Sequence, residues 1–153
     1  MSDKARHNLT TFLWFDNKAE EAARYYVFVF DRAEIQSVAA VGPANQKLVS
    51  FTIRGSDFMA IDGGPVYLLS PATSFMIHCD SQEEIDHYWE KLGDGGEYSL
   101  CGWLTDRYGV TWQVVPTLLG KLLSDPEKAG KVTEAFMKMT KFVIADLLKA
   151  AEG

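Results

Sequence analysis

Apolar positions along the chain fall into two short runs, each followed by a helical stripe, and the second set repeats the first. Phe12-Leu13-Trp14-Phe15 stops at Asp16-Asn17, and Phe75-Met76-Ile77-His78-Cys79 stops at Asp80-Ser81, each before a Glu-rich segment. Short aromatic and β-branched runs ended by Asp, Asn or Ser predict a strand leading into a helix. Ala19, Ala22, Ala23, Tyr26, Val27 and Phe30 form one apolar stripe, and Ile85, Tyr88, Trp89 and Leu92 another, at i, i+3, i+4 and i+7. Such stripes predict two amphipathic helices lying on a sheet. Aligned without a gap, FLWFDNKAEEAARYY from Phe12 returns as FMIHCDSQEEIDHYW from Phe75, an offset of 63 residues. Phe12/Phe75, Glu20/Glu83, Glu21/Glu84 and Tyr25/Tyr88 are identical across it, and self-similarity at a fixed offset predicts a duplicated architecture.

Further extended segments are expected at 35–40, 48–54 and 57–61, separated by Gly42-Pro43 and Gly55-Ser56. In the second unit, Gly93-Asp94-Gly95-Gly96 turns into a strand over 98–104, and Asp106-Arg107-Tyr108-Gly109, with the spacing of a type I turn, leads into a strand over 110–115. The fold class is α+β, with two βαβββ repeats over about 9–63 and 72–116 in one domain, joined by Gly63-Gly64-Pro65 to Pro71. A C-terminal extension over 117–153 reads as helices at 117–123, 126–139 and 141–151. Val132, Phe136, Met139, Val143 and Leu147 make its apolar seam, facing the body or a second subunit.

Capping accounts for the acidic pairs at the helix starts. Asn17-x-x-Glu20 and Ser81-x-x-Glu84, or Asp80-x-x-Glu83, have capping-box spacing, and carboxylates in a first turn meet the positive end of the helix dipole.

Charge and composition narrow the partners. Fifteen Lys+Arg against 21 Asp+Glu, with no basic run, leave no electrostatic footprint for nucleic acid. No apolar run has the roughly 18 residues of a membrane span, and the first ten residues are polar, so a cytoplasmic protein is expected. Cys79 and Cys101, without a CxxC pair, are expected as reduced structural thiols.

The phrases LWFDNKAEEAARYY, FMAIDGGP, SFMIHCDSQEEIDHYW, CGWLTDRYGVTWQVVP and SDPEKAGKV resemble, almost end to end, the PhnB-like branch of the vicinal oxygen chelate superfamily. That superfamily includes glyoxalase and bleomycin-resistance proteins, and this branch often carries a demethylubiquinone methyltransferase name. The resemblance implies sheets curled around a small-molecule cavity in a homodimer. In the superfamily's enzymes it implies a metal held by His, Gln or Glu from the first and last strand of each unit.

Laid on that pattern, Ser74 and Gln113 occupy two ligand positions of the second unit, and the repeat offset assigns Thr11 and about Ala60 as their mates. These four side chains carry no formal charge, so no metal and no cofactor are expected. If Ser74 points inward, strand alternation sends Met76 and His78 the same way, with Thr11, Leu13 and Phe15 in the first unit, Phe58, Ala60 and Asp62 on its last strand, and Thr111, Gln113 and Val115 on the closing strand. The lining is mostly apolar with a few hydroxyl and amide groups, which suits a small uncharged or aromatic ligand. His78, oriented by Asp62 or Asp80, is the candidate acid/base residue. Trp103 and Trp112 can stack a ring or sit in the core, and Arg107 can reach an anion or stay in solvent.

No glycine-rich strand-to-helix turn of the kind that holds S-adenosylmethionine is present, since the Gly93–Gly96 run follows a helix and precedes a strand. The expected function is metal-free binding of a small molecule, the alternatives being an enzyme of the same fold, metal-dependent or based on His78, and an interaction module acting through the helical tail.

Overall fold

The computed structural model describes residues 9–153. His7 and the rest of the polar N-terminal stretch before Leu9 lie outside them. The chain divides into two compact units, one ending at Leu69 and one running from Ser70 to Gly153, a boundary inside the expected connection.

The first unit runs β1 (Thr11–Phe15), α1 (Ala19–Val29), β2 (Ala33–Val41), β3 (Gln46–Ile53) and β4 (Ser56–Asp62). Its sheet has the order β1-β4-β3-β2, with β1 parallel to β4 and the other pairs antiparallel. The second unit repeats this plan with β5 (Phe75–Cys79), α2 (Gln82–Gly93), β6 (Glu97–Tyr98), β7 (Trp103–Thr105) and β8 (Thr111–Pro116) in the order β5-β8-β7-β6. It adds α3 (Leu118–Leu123), α4 (Pro126–Phe136) and α5 (Ile144–Glu152). The fold is α+β with two mixed four-stranded sheets. Each sheet is open, ending at edge strands instead of closing on itself.

Both helices bury the predicted stripe. Ala19, Ala22, Ala23, Tyr26 and Val29 are buried on α1, and the Tyr26 ring lies 6.4 Å from Phe51, which stacks on Phe58 at 5.3 Å. On α2, Ile85, Tyr88, Trp89 and Leu92 are buried, and full burial of a side chain such as Ile85 or Leu92 stabilises by about 1.5–3 kcal/mol. The Tyr98 ring stacks on Trp89 at 4.4 Å and its hydroxyl donates to the Trp89 carbonyl.

The two helices are capped differently. Ser81 caps α2 as expected, its Oγ accepting from Glu84 N at 3.2 Å. Asn17 does not cap α1; it takes a left-handed φ of 59°, Lys18 becomes the N-cap residue without a side-chain capping bond, and Asp62 Oδ1, from the end of β4, accepts from Ala19 N at 2.7 Å. The cause is one extra residue. Asp16, Asn17 and Lys18 link β1 to α1, whereas Asp80 and Ser81 alone link β5 to α2.

The expected single strand over 98–104 is broken into β6 and β7 by a turn with Cys101 at φ 59° and Gly102 at φ 77°. That turn is pinned from the C-terminal region: Cys101 N donates to Met139 O at 2.7 Å and Gly102 N to Thr140 O at 2.8 Å. The segment between α4 and α5 is therefore not helix, although Met139 and Val143 were expected in a continuous seam. Val132 and Leu147 from that seam are fully buried within the second unit, where α4 packs on α5, and Phe142 joins them.

Gln82 clasps this segment with both ends of its amide, Nε2 donating to Phe142 O at 3.0 Å and Oε1 accepting from Ile144 N at 2.8 Å. Lys141 Nζ lies 2.8 Å from Asp86 Oδ1, and hydrogen bonds from Lys141 and then Gln82 hold the Asp86 carboxyl below its ordinary range. A depressed folded-state pKa adds stability above the unfolded value that is lost as pH falls through the folded one. Because both side chains are over a third exposed, at 35% and 43%, the effect stays under about 1 kcal/mol. Asp86→Asn is expected to lower the thermal midpoint slightly at pH 7, and the gap from the parent chain should close as pH drops below about 4.

Candidate ligand-binding face of the second sheet

Burial decides which side of each sheet the helix covers. In the second unit Ile77, Cys79, Leu104 and Val114 are buried on the α2 side, while Met76, 48% exposed, and the exposed His78 stand on the other. Ser74 and Gln113 meet on that open face, Gln113 Nε2 donating to Ser74 Oγ at 2.9 Å. Thr111, buried on the same strand, places Oγ1 3.4 Å from Thr105 Oγ1, and Val115 continues the row. Met76 and Trp103 both pair with Gln113 in register, so all three side chains project from this face.

The first unit departs from the sequence-based assignment. Leu13, Phe15 and Ala60 are at most 5% exposed, and with Thr11 they share the side of Phe51 and Phe58 that α1 covers. Thr11, Leu13, Phe15 and Ala60 therefore belong to the helix-side core, with Phe58 and Asp62, and not to the open face. The reason is the extra residue before α1: the helices start 63 apart, at 19 and 82, but the strands start 64 apart, at 11 and 75. A shift of one residue turns every side chain of a strand to the other face. In the corrected register Thr10 answers Ser74 and Met59 answers Gln113, while the half-buried Trp14 answers His78.

In the second unit Ser74 and Gln113 offer a hydroxyl and an amide, and the matching positions of the first unit, Thr10 and Met59, offer a hydroxyl and a thioether. A divalent ion requires ligands with charge or strongly basic lone pairs, and neither pair supplies them. Elsewhere among the described residues no three His, Cys, Asp or Glu side chains group as ligands.

His78 has no orienting partner among the described residues; Asp80 accepts from Thr117 Oγ1 at 2.8 Å, and Asp62 Oδ1 is held by the α1 terminus. Arg107 is tied to Asp94, its Nη2 lying 3.1 Å from Oδ2 and its Nε donating to the backbone carbonyl. Trp112 is core, donating Nε1–H to Asp106 Oδ2, whereas Trp103 is half-buried on the open face. Neither Cys79 nor Cys101 forms a disulfide among the described residues, and His87 is exposed beside Tyr88. A separate cleft of about 360 Å³ lies in the first unit between the β1–α1 turn and the β2–β3 hairpin, lined by Asp16, Asn17, Lys47 and Asp62 among others.

A family model described as 3-demethylubiquinone-9 3-methyltransferase matches residues 7–115, which takes in both βαβββ units and stops at β8. The chain belongs to this family. It is the PhnB-like branch of the vicinal oxygen chelate superfamily, as the sequence phrases implied, and α3 to α5 follow the matched stretch. The PhnB protein from Bacillus cereus is 34% identical over 72% of this chain and 99% of its own length, with a TM-score of 0.67. Protein PA1353 from Pseudomonas aeruginosa, 20% identical over 71% of this chain and 96% of that one, has a TM-score of 0.62 and shares the fold. So does the fosfomycin resistance protein FosX from Mesorhizobium loti, at 16% identity, 80% and 98% coverage and a TM-score of 0.57. No curated protein matches the chain. No helix among the described residues is long and apolar enough to cross a membrane.

Proposed function

We propose that this PhnB-like chain binds an uncharged small molecule on the open face of its second sheet without a divalent metal, as part of a homodimer. The Ser74–Gln113 hydrogen bond carries the reading. Two positions that hold metal ligands in the superfamily's enzymes are occupied here by a neutral hydroxyl and a neutral amide, each satisfying the other. An ion entering between them would break that bond and gain no charge in return.

A methyltransferase reading finds no support in the strand-to-helix turns. Asp16-Asn17-Lys18 and Asp80-Ser81 contain no glycine for close approach of a cofactor, and Gly93 to Gly96 connect α2 to β6 in the opposite sense. An acid/base role for His78 would need a carboxylate to set its tautomer, and both candidates are engaged elsewhere.

Protein purified without chelators and dialysed against zinc, nickel or manganese is expected to carry substoichiometric metal by elemental analysis. One ion per chain, lost on Gln113→Leu while circular dichroism stays unchanged, would overturn the reading.

A further inference from the structure

Resting on that reading of the same face, we infer that the ligand is an uncharged planar aromatic ring bearing a hydroxyl or carbonyl group. Met76, Gln113 and Trp103 stand side by side on β5, β8 and β7, and at the usual strand spacing the row spans about 10 Å, the width of a small ring system. Its two ends favour a π system: the indole of Trp103 offers a stacking face, and the exposed Met76 offers a polarisable sulfur that packs well against aromatic rings.

The centre of the row sets the polar requirement. Gln113 spends one amide hydrogen on Ser74 and keeps Oε1 and its second N–H without a hydrogen bond among the described residues. The Ser74 hydroxyl, acting as acceptor in that bond, keeps its own proton to donate. The pair therefore presents a donor and an acceptor together, matching a hydroxyl, which is both, or a carbonyl, which takes the donors.

Charge excludes anions. No Lys or Arg lies among the strand residues of this face, and Glu97, paired with Thr105 at the β6 edge, projects from it. Arg107, the cation of the β7–β8 turn, is neutralised by Asp94. A carboxylate ligand would lose its hydration and meet no Lys or Arg, the one imidazole of this face, His78, standing exposed at the far end of β5 from Ser74.

Isothermal titration with four probes of one shape tests this: p-cresol, toluene, 4-methylbenzoate and 4-methylcyclohexanol. p-Cresol is expected to bind about tenfold more tightly than toluene, the worth of one well-placed hydrogen bond, and more tightly than 4-methylcyclohexanol, which keeps the hydroxyl without a π face, and 4-methylbenzoate, which brings a charge. Gln113→Leu is expected to abolish its advantage over toluene and leave toluene binding unchanged. Trp103→Leu is expected to weaken both aromatic probes and leave 4-methylcyclohexanol unaffected; if that variant misfolds by circular dichroism, Trp103→Phe is expected to show a smaller loss in the same sense. 4-Methylbenzoate or 4-methylcyclohexanol binding as tightly as p-cresol overturns the assignment, as does binding by none of the four. Those failures concern the ligand class alone, whereas a stoichiometric metal ion lost from Gln113→Leu overturns the underlying reading.

Discussion

Asp106→Ala is expected to destabilise the chain by about 3–5 kcal/mol, more than any other single polar substitution considered. The carboxylate is 4% exposed and accepts three hydrogen bonds: Oδ1 from Tyr108 N at 2.8 Å and Val110 N at 3.0 Å, and Oδ2 from Trp112 Nε1 at 2.8 Å. Truncation leaves two backbone amides and an indole N–H without an acceptor, and each such bond to a charged group contributes about 1.5–3 kcal/mol, part of which water recovers at the turn. Equilibrium urea unfolding reads the loss directly, and in a chain of this size it corresponds to a drop of roughly 10 °C in thermal midpoint. Asp106→Asn separates the contributions. Its oxygen can still serve the two backbone amides, but its NH2 then faces the indole N–H, so a double-mutant cycle with Trp112→Phe is expected to show a favourable coupling of about 1 kcal/mol as the clash is relieved. Purely additive losses would mean that the indole bond contributes nothing.

That residue also marks how far the chain could be read without coordinates. Asp106 is legible in the sequence as the first position of a turn, because Asp and Gly at that spacing have a local backbone reason. Its bond to Trp112 depends on both side chains being buried on the α2 side of one sheet, and no local pattern encodes that. The duplicated architecture was fully legible, since both helices bury the predicted stripes and both sheets share one strand order. Ser81 caps α2 as its spacing predicts, and Met76 and Gln113 share one face as alternation predicts, because the second unit follows the spacing on which that alternation rests.

The first unit misled in one respect with large consequences. Three of the four identities that define the 63-residue offset, Glu20/Glu83, Glu21/Glu84 and Tyr25/Tyr88, lie in the helices, and they carried the helical register onto the strands. Alternation could not correct it, because Phe12-Leu13-Trp14-Phe15 is apolar at every position and a period of two leaves no trace in such a run. The available signal was Asn17, a residue tolerant of the left-handed region, standing where a three-residue link replaces a two-residue one. The correction takes Thr11, Leu13, Phe15 and Ala60 off the open face and leaves the argument about metal standing, since Thr10 repeats the hydroxyl of Thr11 and the Met59 thioether, a donor where Ala60 has none, brings no charge. Likewise, Met139 and Val143 fit a helical period, but the segment holding them leaves the helix to bond with Cys101 and Gly102, a long-range competition invisible to local spacing.

Gly102→Ala is expected to cost about 3–4 kcal/mol and to release that segment. The residue sits at φ 77°, where a side chain costs about 1–2 kcal/mol by itself, and an added Cβ would lie 2.5 Å from Val114 O and 2.7 Å from the Phe142 ring. Neither neighbour can move freely: Val114 N is bonded to Gly102 O at 2.7 Å within the sheet, and Phe142 is 1% exposed. Such overpacking adds about 1–3 kcal/mol. Gly109→Ala supplies the comparison, because it has a similar φ of 90° and nothing within 4 Å of the new Cβ, so it should bear only the conformational cost of about 1–2 kcal/mol. The difference between the two variants then measures the packing of residues 137–143 against the β6–β7 turn. Limited proteolysis should cleave that segment faster in Gly102→Ala than in Gly109→Ala, and Phe142→Leu, by making room, should recover part of the Gly102→Ala loss. Equal losses and equal cleavage in the two glycine variants would mean that the segment is not seated on the turn, and the clasp formed by Gln82, Lys141 and Phe142 would lose its role in holding α5.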